Sequence, residues 1–349
     1  MKPRKKTRVV HVGNVPVGGR HPVIVQSMTK TDTADIKTTV RQIRSLESSG
    51  CEIIRLAVPD MNAAKALGKI RQAISIPMIA DIHFDWRLAV EAVRQGVDGL
   101  RINPGNIGAR WKIREVVAAA SDNRIPVRIG VNAGSLEKDL LRRYGHPSPE
   151  ALVESAGRHV QILESLGFTD IKVSLKASDV LRTVEAYTLF SKKYRYPLHI
   201  GISEAGPPST GIVKSAVGLG ILLAEGIGDT IRVSLTARPE EEVRVAYAIL
   251  GSLGIRKRGV DIISCPTCGR CRINLKKLVR KVEDRVKQLD GPLTLAVMGC
   301  VVNGPGEARE ADFGIAGGRG KGIVFKRGKI VRQVEEKDLL SALFEEAEI

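Results

Sequence analysis

From residue 22 to about residue 250 the chain repeats one pattern. A short β-branched run ends in polar residues, and a segment with apolar positions three and four apart follows. The runs are PVIVQSMT (22–29), EIIRLAV (52–58), PMIADIHFD (77–85), GLRINPGN (99–106), PVRIGVNAGS (126–135), IKVSLKAS (171–178), PLHIGISEAG (197–206) and TIRVSLTA (230–237). Intervening stretches such as WRLAVEAVRQGVDG gather their apolar residues on one helical face and end in Gly, where a helix C-cap falls. Successive runs start about 22 to 33 residues apart, with one longer gap before the sixth. Eight strand–helix units in roughly 230 residues predict an α/β chain folded as a (β/α)8 TIM barrel, with a doubly wound open sheet as the alternative. PEEEVRVAYAILGSLG (239–254) reads as the eighth helix. After a basic linker, residues 259–349 read as strand, cysteine turn, helix, strand, loop, three short strands and a terminal helix. The pattern therefore predicts a barrel domain over residues 1–254 and a smaller α+β domain over 255–349.

In such a barrel the C-terminal ends of the strands line the mouth, where active sites are built. Those positions carry Arg55, Asp81, His83, Arg101, Asn103, Arg128, Asn132, Lys176, Glu204, Arg232 and Ser234. Five cations converging on one face need a counter-charge, because an unpaired buried charge costs several kcal/mol. Arg forks match phosphate oxygens bidentately and Lys adds a point charge. Set against Asp81 and Glu204, the five leave a surplus near +3, which suits a diphosphate; ion pairing within the barrel is the plainer alternative. Ser209 and Thr210, in GPPSTG after the seventh run, read as helix N-caps near a further phosphate position. His83 and His199 read as ligands or general acids, or simply as hydrogen-bonded strand-end histidines.

Composition and charge narrow the class of function. Apolar residues make up 43% of the 349 and charged residues 27%, which excludes a disordered chain. No apolar stretch reaches the roughly 18 to 20 residues that span a bilayer, and the basic N-terminus lacks the apolar segment of a signal peptide. The expectation is a cytoplasmic protein. The formal net charge of +17 points first to nucleic acid. However, the excess is spread along the chain, +11 in residues 1–250 and +6 in 251–349. Only 13 Trp, Tyr and Phe are available to stack on bases. A zinc-stabilised nucleic-acid binder is thus the second reading, and a pterin- or phosphate-binding barrel with a purely structural C-terminal domain the third.

Five cysteines without an export signal argue against a disulfide framework. Cys51 stands alone, whereas Cys265, Cys268 and Cys271 form C-x2-C-x2-C, and Cys300 follows in MGCVVNGPGE. Thiolates at that spacing hold zinc or iron–sulfur, and the lack of a second C-x2-C favours iron–sulfur. The Gly-rich NGPGEARE presents Glu307, a harder and more labile ligand than thiolate, or else a salt-bridge partner for Arg309.

SAVGLGILLAEGIGDTIRVSLT (215–236), SCPTCGR (264–270) and MGCVVNGPGEA (298–308), with QSMT, LRINPGNIG and VRIGVNAGSL, resemble the bacterial (E)-4-hydroxy-3-methylbut-2-enyl diphosphate synthases of the methylerythritol phosphate route. The resemblance runs over essentially the whole chain. It implies an oxidoreductase that opens 2-C-methyl-D-erythritol 2,4-cyclodiphosphate reductively, with loss of water, at a [4Fe-4S] cluster. It implies Cys265, Cys268, Cys300 and Glu307 as cluster ligands. It implies Arg55, Arg101, Arg128, Lys176 and Arg232 as diphosphate binders, with Asn103, Asn132 and Ser234 beside them. Glu204 matches an acid that assists proton transfer, and Asp81 and His83 match substrate-side positions. Ferredoxin or flavodoxin is the implied electron donor. The implied assembly is a homodimer in which the cluster domain of one subunit closes over the barrel of the other. Cys271 departs from many members. With a helix expected to start there, three sulfurs of one tract do not easily converge, so Glu307 is the expected fourth ligand and Cys271 a bystander.

Overall fold

The β-branched runs close on themselves. In the computed structural model, which describes all residues except 288, 290, 302–305 and 307, eight parallel strands form one sheet. They are β3 (Ile24–Met28), β4 (Ile53–Ala57), β5 (Met78–Asp81), β6 (Gly99–Ile102), β7 (Val127–Asn132), β8 (Ile171–Lys176), β9 (His199–Ile200) and β10 (Thr230–Ile231). Each pairs with the next, β10 pairs with both β3 and β9, and a bridge from Val173 to Leu198 joins β8 to β9. The sheet is a barrel. Chain contacts divide the molecule into two compact units, Met1–Arg256 and Lys257–Ile349.

Strand alternation sends successive side chains to opposite faces of the sheet. The outward set, including Ile54, Leu56, Val127, Ile129, Val131, Val173 and Leu175, is buried against the surrounding helices. Asp35, Asp60, Asp85 and Asp179 each cap one of those helices, accepting the backbone N–H of Thr38, Ala63, Arg87 and Arg182 respectively. The long gap before the sixth run holds two helices, Lys138–Tyr144 and Pro149–Glu164. One expectation fails here. The helix after the seventh strand begins at Pro208 with Pro207 as its N-cap and no side-chain cap bond, so Ser209 and Thr210 lie inside its first turn and do not cap it. Proline at the first helical position already supplies the fixed φ that a helix start needs.

The N-terminal segment forms an antiparallel hairpin, β1 (Val9–Val12) and β2 (Val15–Gly18). Its Val10, Val12 and Val17 pack on Ile24, Ile53 and Ile79 from the inward faces of β3 to β5. These apolar side chains fill the N-terminal end of the barrel, leaving the C-terminal end for polar groups.

The second unit is a five-stranded mixed sheet: β11 (Val260–Ser264), β12 (Leu293–Met298), β13 (Phe313–Gly317), β14 (Lys321–Lys326) and β15 (Lys329–Glu335). The first three are parallel and the last two pair antiparallel. Helices Leu275–Val286 and Leu339–Glu346 bury Leu275, Val282, Leu339 and Leu343 against its Leu295, Val297 and Ile315. The first helix starts at Leu275 with Asn274 as its cap, not at Cys271 as expected. Asn274 Oδ1 accepts the Lys277 N–H, which fixes the start at Leu275, four residues beyond Cys271.

Candidate active site

Above the apolar plug the barrel interior is charged. Arg101, Arg128 and Lys176 are buried, Arg55 is 8% exposed and Arg232 half-buried. Asp81 on β5 is the carboxylate among them. It accepts from Arg101 Nη1 at 3.0 Å and pairs with Arg55 Nε at 3.4 Å. Burial works to raise its pKa, but Arg55, Arg101 and Arg128 together outweigh that and hold the carboxyl at about 2. The ion pairing weighed as the plainer reading therefore accounts for Arg55 and Arg101. Arg55 also aims Nε and Nη2 at Met28 Sδ, at 3.2 and 2.9 Å.

The remaining cations lack such partners. Arg128 donates from Nη1 to Ser174 Oγ at 3.3 Å, while its Nε and Nη2, Arg101 Nε and Arg232 Nε are buried with no hydrogen-bond partner. Lys176 Nζ lies 3.3 Å from His199 Nε2, and His199 Nδ1 lies 2.8 Å from Thr230 Oγ1. Burial, then the neighbouring Lys176 and Arg128, keep His199 well below the usual histidine range. It is therefore neutral: Nε2 accepts from the lysine and Nδ1–H donates to the threonine. Burial first, then mutual repulsion, lowers Arg128 and Lys176 as well. Unpaired donors of one sign, fixed in a low-dielectric site, are complementary to an anion with several oxygens.

Two glycines admit these side chains. A Cβ on Gly130 would stand 2.4 Å from Arg101 Nε, and one on Gly201 would stand 2.6 Å from Lys176 Nζ. Asn103 Oδ1 caps the short helix Pro104–Ile107 through Gly105 N–H at 3.1 Å. The Asn132 amide, oriented to satisfy both its ends, accepts from Arg101 Nη2 and donates to the Val131 carbonyl, each at 3.2 Å. His83 and Glu204 are exposed and Ser234 half-buried. His83 adds to the field that lowers Asp81. Glu204 has a left-handed backbone with φ of 51°.

In the second unit, β11 and β12 run parallel with Ser264 opposite Val297, so Cys265 and the Gly299–Cys300 loop leave the same end of the sheet. Gly299 N–H donates to Cys265 Sγ at 3.2 Å, and Arg272 N–H donates back to the Gly299 carbonyl. A Cβ on Gly299 would stand 2.6 Å from Cys271 Sγ and 3.3 Å from Cys265 Sγ, so glycine is what lets the two sulfurs approach the loop. The sulfurs differ in role: Cys265 accepts an N–H, whereas Cys271 donates to the Ile273 carbonyl at 3.3 Å. Cys268 is exposed, and the Arg270 backbone N–H and guanidinium lower its pKa. Among the described residues no three His, Cys, Asp or Glu side chains are gathered into one metal-binding set. Glu307 lies outside the described residues.

Residues 7–247 match the family model described as the GcpE TIM-barrel domain, and residues 261–349 the one described as the GcpE protein C-terminal domain. The chain belongs to the GcpE family. It is 65% identical over 343 residues to a protein of Thermodesulfovibrio yellowstonii named 4-hydroxy-3-methylbut-2-en-1-yl diphosphate synthase (flavodoxin), covering 98% of each chain. A protein of the same name from Geobacter sulfurreducens is 61% identical, covering 99% of this chain and 98% of its own. Among solved structures, dihydropteroate synthase of Yersinia pestis superposes with a TM-score of 0.53 over 70% of this chain and 98% of that one. At 11% identity that likeness speaks for the barrel fold alone.

The GcpE barrel also contains polar residues that reading only the strand ends passed over. Lys172, 1% exposed with Nζ unpartnered, occupies the same face of β8 as Ser174 and Lys176. Gln26 is buried on β3 with neither amide atom bonded. The alternation in IKVSLK and IVQSM was the available signal for both. No helix among the described residues is long and apolar enough to cross a membrane.

Proposed function

We propose that this GcpE chain opens the ring of 2-C-methyl-D-erythritol 2,4-cyclodiphosphate by a two-electron reduction with loss of water, giving (E)-4-hydroxy-3-methylbut-2-enyl diphosphate in isoprenoid biosynthesis. The observation that carries this reading is the set of buried guanidinium nitrogens of Arg101, Arg128 and Arg232 without hydrogen-bond partners, with Lys176 beside them and Asp81 among them, at the open end of the barrel. The diphosphate takes the free donors of Arg101, Arg128, Lys176 and Arg232, with Arg55, Asn103, Asn132 and Ser234 beside them. Asp81 holds two of the forks in place before the ligand arrives. His199 keeps Lys176 aimed into the lumen. Glu204 at the rim delivers the proton that lets the departing oxygen leave as water, and His83 and Asp81 complete the substrate-side wall.

Cys265, Cys268, Cys300 and Glu307 hold a [4Fe-4S] cluster in this reading, which supplies single electrons to the substrate when bound. The donor set fits such a group. Cys265 already accepts an N–H as a ligating thiolate does, Cys268 is shifted toward thiolate, and Gly299 leaves room beside the sulfurs. Cys271 turns its sulfur to the Ile273 carbonyl and stays outside the set. Flavodoxin is the electron donor. Helix Leu275–Val286, next in the chain after the cysteine turn, exposes Lys276, Lys277, Arg280 and Lys281, a basic face suited to an acidic flavoprotein. A cytoplasmic homodimer brings the barrel of one copy to the cluster domain of its partner.

The ligand assignment is tested by iron and acid-labile sulfide analysis with visible absorption on anaerobically reconstituted protein. Cys271→Ser is expected to retain the wild-type iron content and spectrum, and Glu307→Ala to alter or destabilise the cluster. Loss of iron in Cys271→Ser with an unchanged Glu307→Ala would reverse the assignment.

A further inference from the structure

The register of the barrel places four charged residues side by side. Asp81 is opposite Arg101, Arg101 opposite Arg128, and Arg128 opposite Lys172, on four adjacent strands. Like charges directly opposite one another repel, and the carboxylate stands at one end only. Arg101 bonds to it, Arg128 finds a hydroxyl, and Lys172 at the far end has no hydrogen-bond partner. Lys172 is also the row's least exposed member, at 1%. A guanidinium in such a row keeps its proton, whereas a lysine can lose one.

The surroundings of Lys172 act in that direction. Burial first, then Arg128 beside it on β7, bring its pKa down to about 7, with Arg55 of β4 adding to the effect. His199 of β9 is within its field and is neutral. Lys176 shares its strand, four residues on. Asp229, before β10, is the opposing charge, but its carboxylate is already committed to the Leu198 N–H, the Thr7 hydroxyl and Arg4.

We propose that Lys172 is a further member of the anion site, giving up its proton in mildly alkaline solution while the barrel is empty and protonated by solvent when a diphosphate occupies the mouth. The inference rests on the diphosphate reading of the barrel. The arriving anion offsets the positive field along the row, so the ammonium form becomes the stable one. The empty site, with Asp81 against its guanidinium groups, thus acquires its last cation only with the ligand. Turnover then depends on a proton taken up in binding, separate from the one used in loss of water.

The experiment is calorimetric titration of inorganic pyrophosphate into the full-length protein at pH 8, in buffers of different ionisation enthalpy. Wild type, Lys172→Arg and Lys172→Met are compared. Pyrophosphate's own proton change is common to all three and cancels in the difference. Wild type is expected to take up close to one proton more than either variant. Lys172→Arg should bind within a few-fold of wild type, and Lys172→Met roughly tenfold or more weakly. Equal proton uptake in wild type and a variant that binds pyrophosphate would overturn the role of Lys172 and leave the diphosphate site standing. Failure of wild type to bind pyrophosphate would overturn both. Should one variant not fold, the difference between wild type and the other must grow from pH 6 to pH 8, and a flat profile overturns the proposal.

Discussion

Asp81→Asn separates what the charged tier does for the fold from what it does for the ligand. The carboxylate touches Arg101 at 3.0 Å and Arg55 at 3.4 Å inside the barrel, and all three side chains are largely shielded from solvent. Its pKa of about 2, against 3.8 for a free aspartate, corresponds to about 2 kcal/mol of stabilisation. Removing one partner of a buried pair also strands the other, which typically costs about 3 to 5 kcal/mol. The ligand-free variant is therefore expected to lose roughly 2 to 5 kcal/mol at pH 7, read by urea unfolding. The sign with pH follows from a folded value below the unfolded one. The contribution is complete above about pH 4 and disappears as pH falls through about 2, so the two proteins should converge as the solution is acidified. The substitution also raises the net charge of the site by one. Pyrophosphate should then stabilise the variant more than the wild type, reading binding through the shift in midpoint. Equal stability at pH 7, or weaker pyrophosphate stabilisation in the variant, would refute the placement of Asp81 as an internal counter-ion.

The glycine on β7 offers a second test: Gly130→Ala places a methyl group 2.4 Å from Arg101 Nε. It should weaken pyrophosphate binding at least tenfold, as should Arg101→Ala, while far-ultraviolet circular dichroism stays unchanged; wild-type affinity in both would remove Arg101 from the site. Reversing the charge of Lys276, Lys277 and Arg280 together is expected to raise the KM for flavodoxin and flatten its salt dependence, yet leave turnover with a small viologen reductant intact. An unchanged KM would place the donor elsewhere.

Most of the barrel was legible because a parallel sheet enclosed by helices needs apolar residues at alternate strand positions, and the eight runs display them. The same alternation made Arg55, Arg101, Arg128 and Lys176 legible, since each stands on the inward parity of an apolar run. Lys172 was not, because as the second residue of β8 rather than its last it joins the inward set only when the strand's parity is counted back from Lys176. The sealing hairpin was hidden by the basic residues before it, although the Gly13–Asn14 turn between two valine-rich pairs carries its signature. The misplaced helix starts share one cause. Proline at 208 and asparagine at 274 set the helix boundaries locally, whereas the hydroxyls of Ser209 and Thr210 and the sulfur of Cys271 drew notice for their chemistry. Cys265 and Cys271 look equivalent in the sequence, and only the direction of their hydrogen bonds separates an acceptor from a donor.

The most direct test of the account is turnover of the cyclic diphosphate by anaerobically purified, reconstituted protein supplied with reduced flavodoxin, with iron and sulfide measured on the same sample. The account predicts brown protein with close to four iron and four sulfide per chain and product formation that scales with cluster content. Colourless protein containing only zinc, or turnover that persists after the cluster is removed, would contradict it.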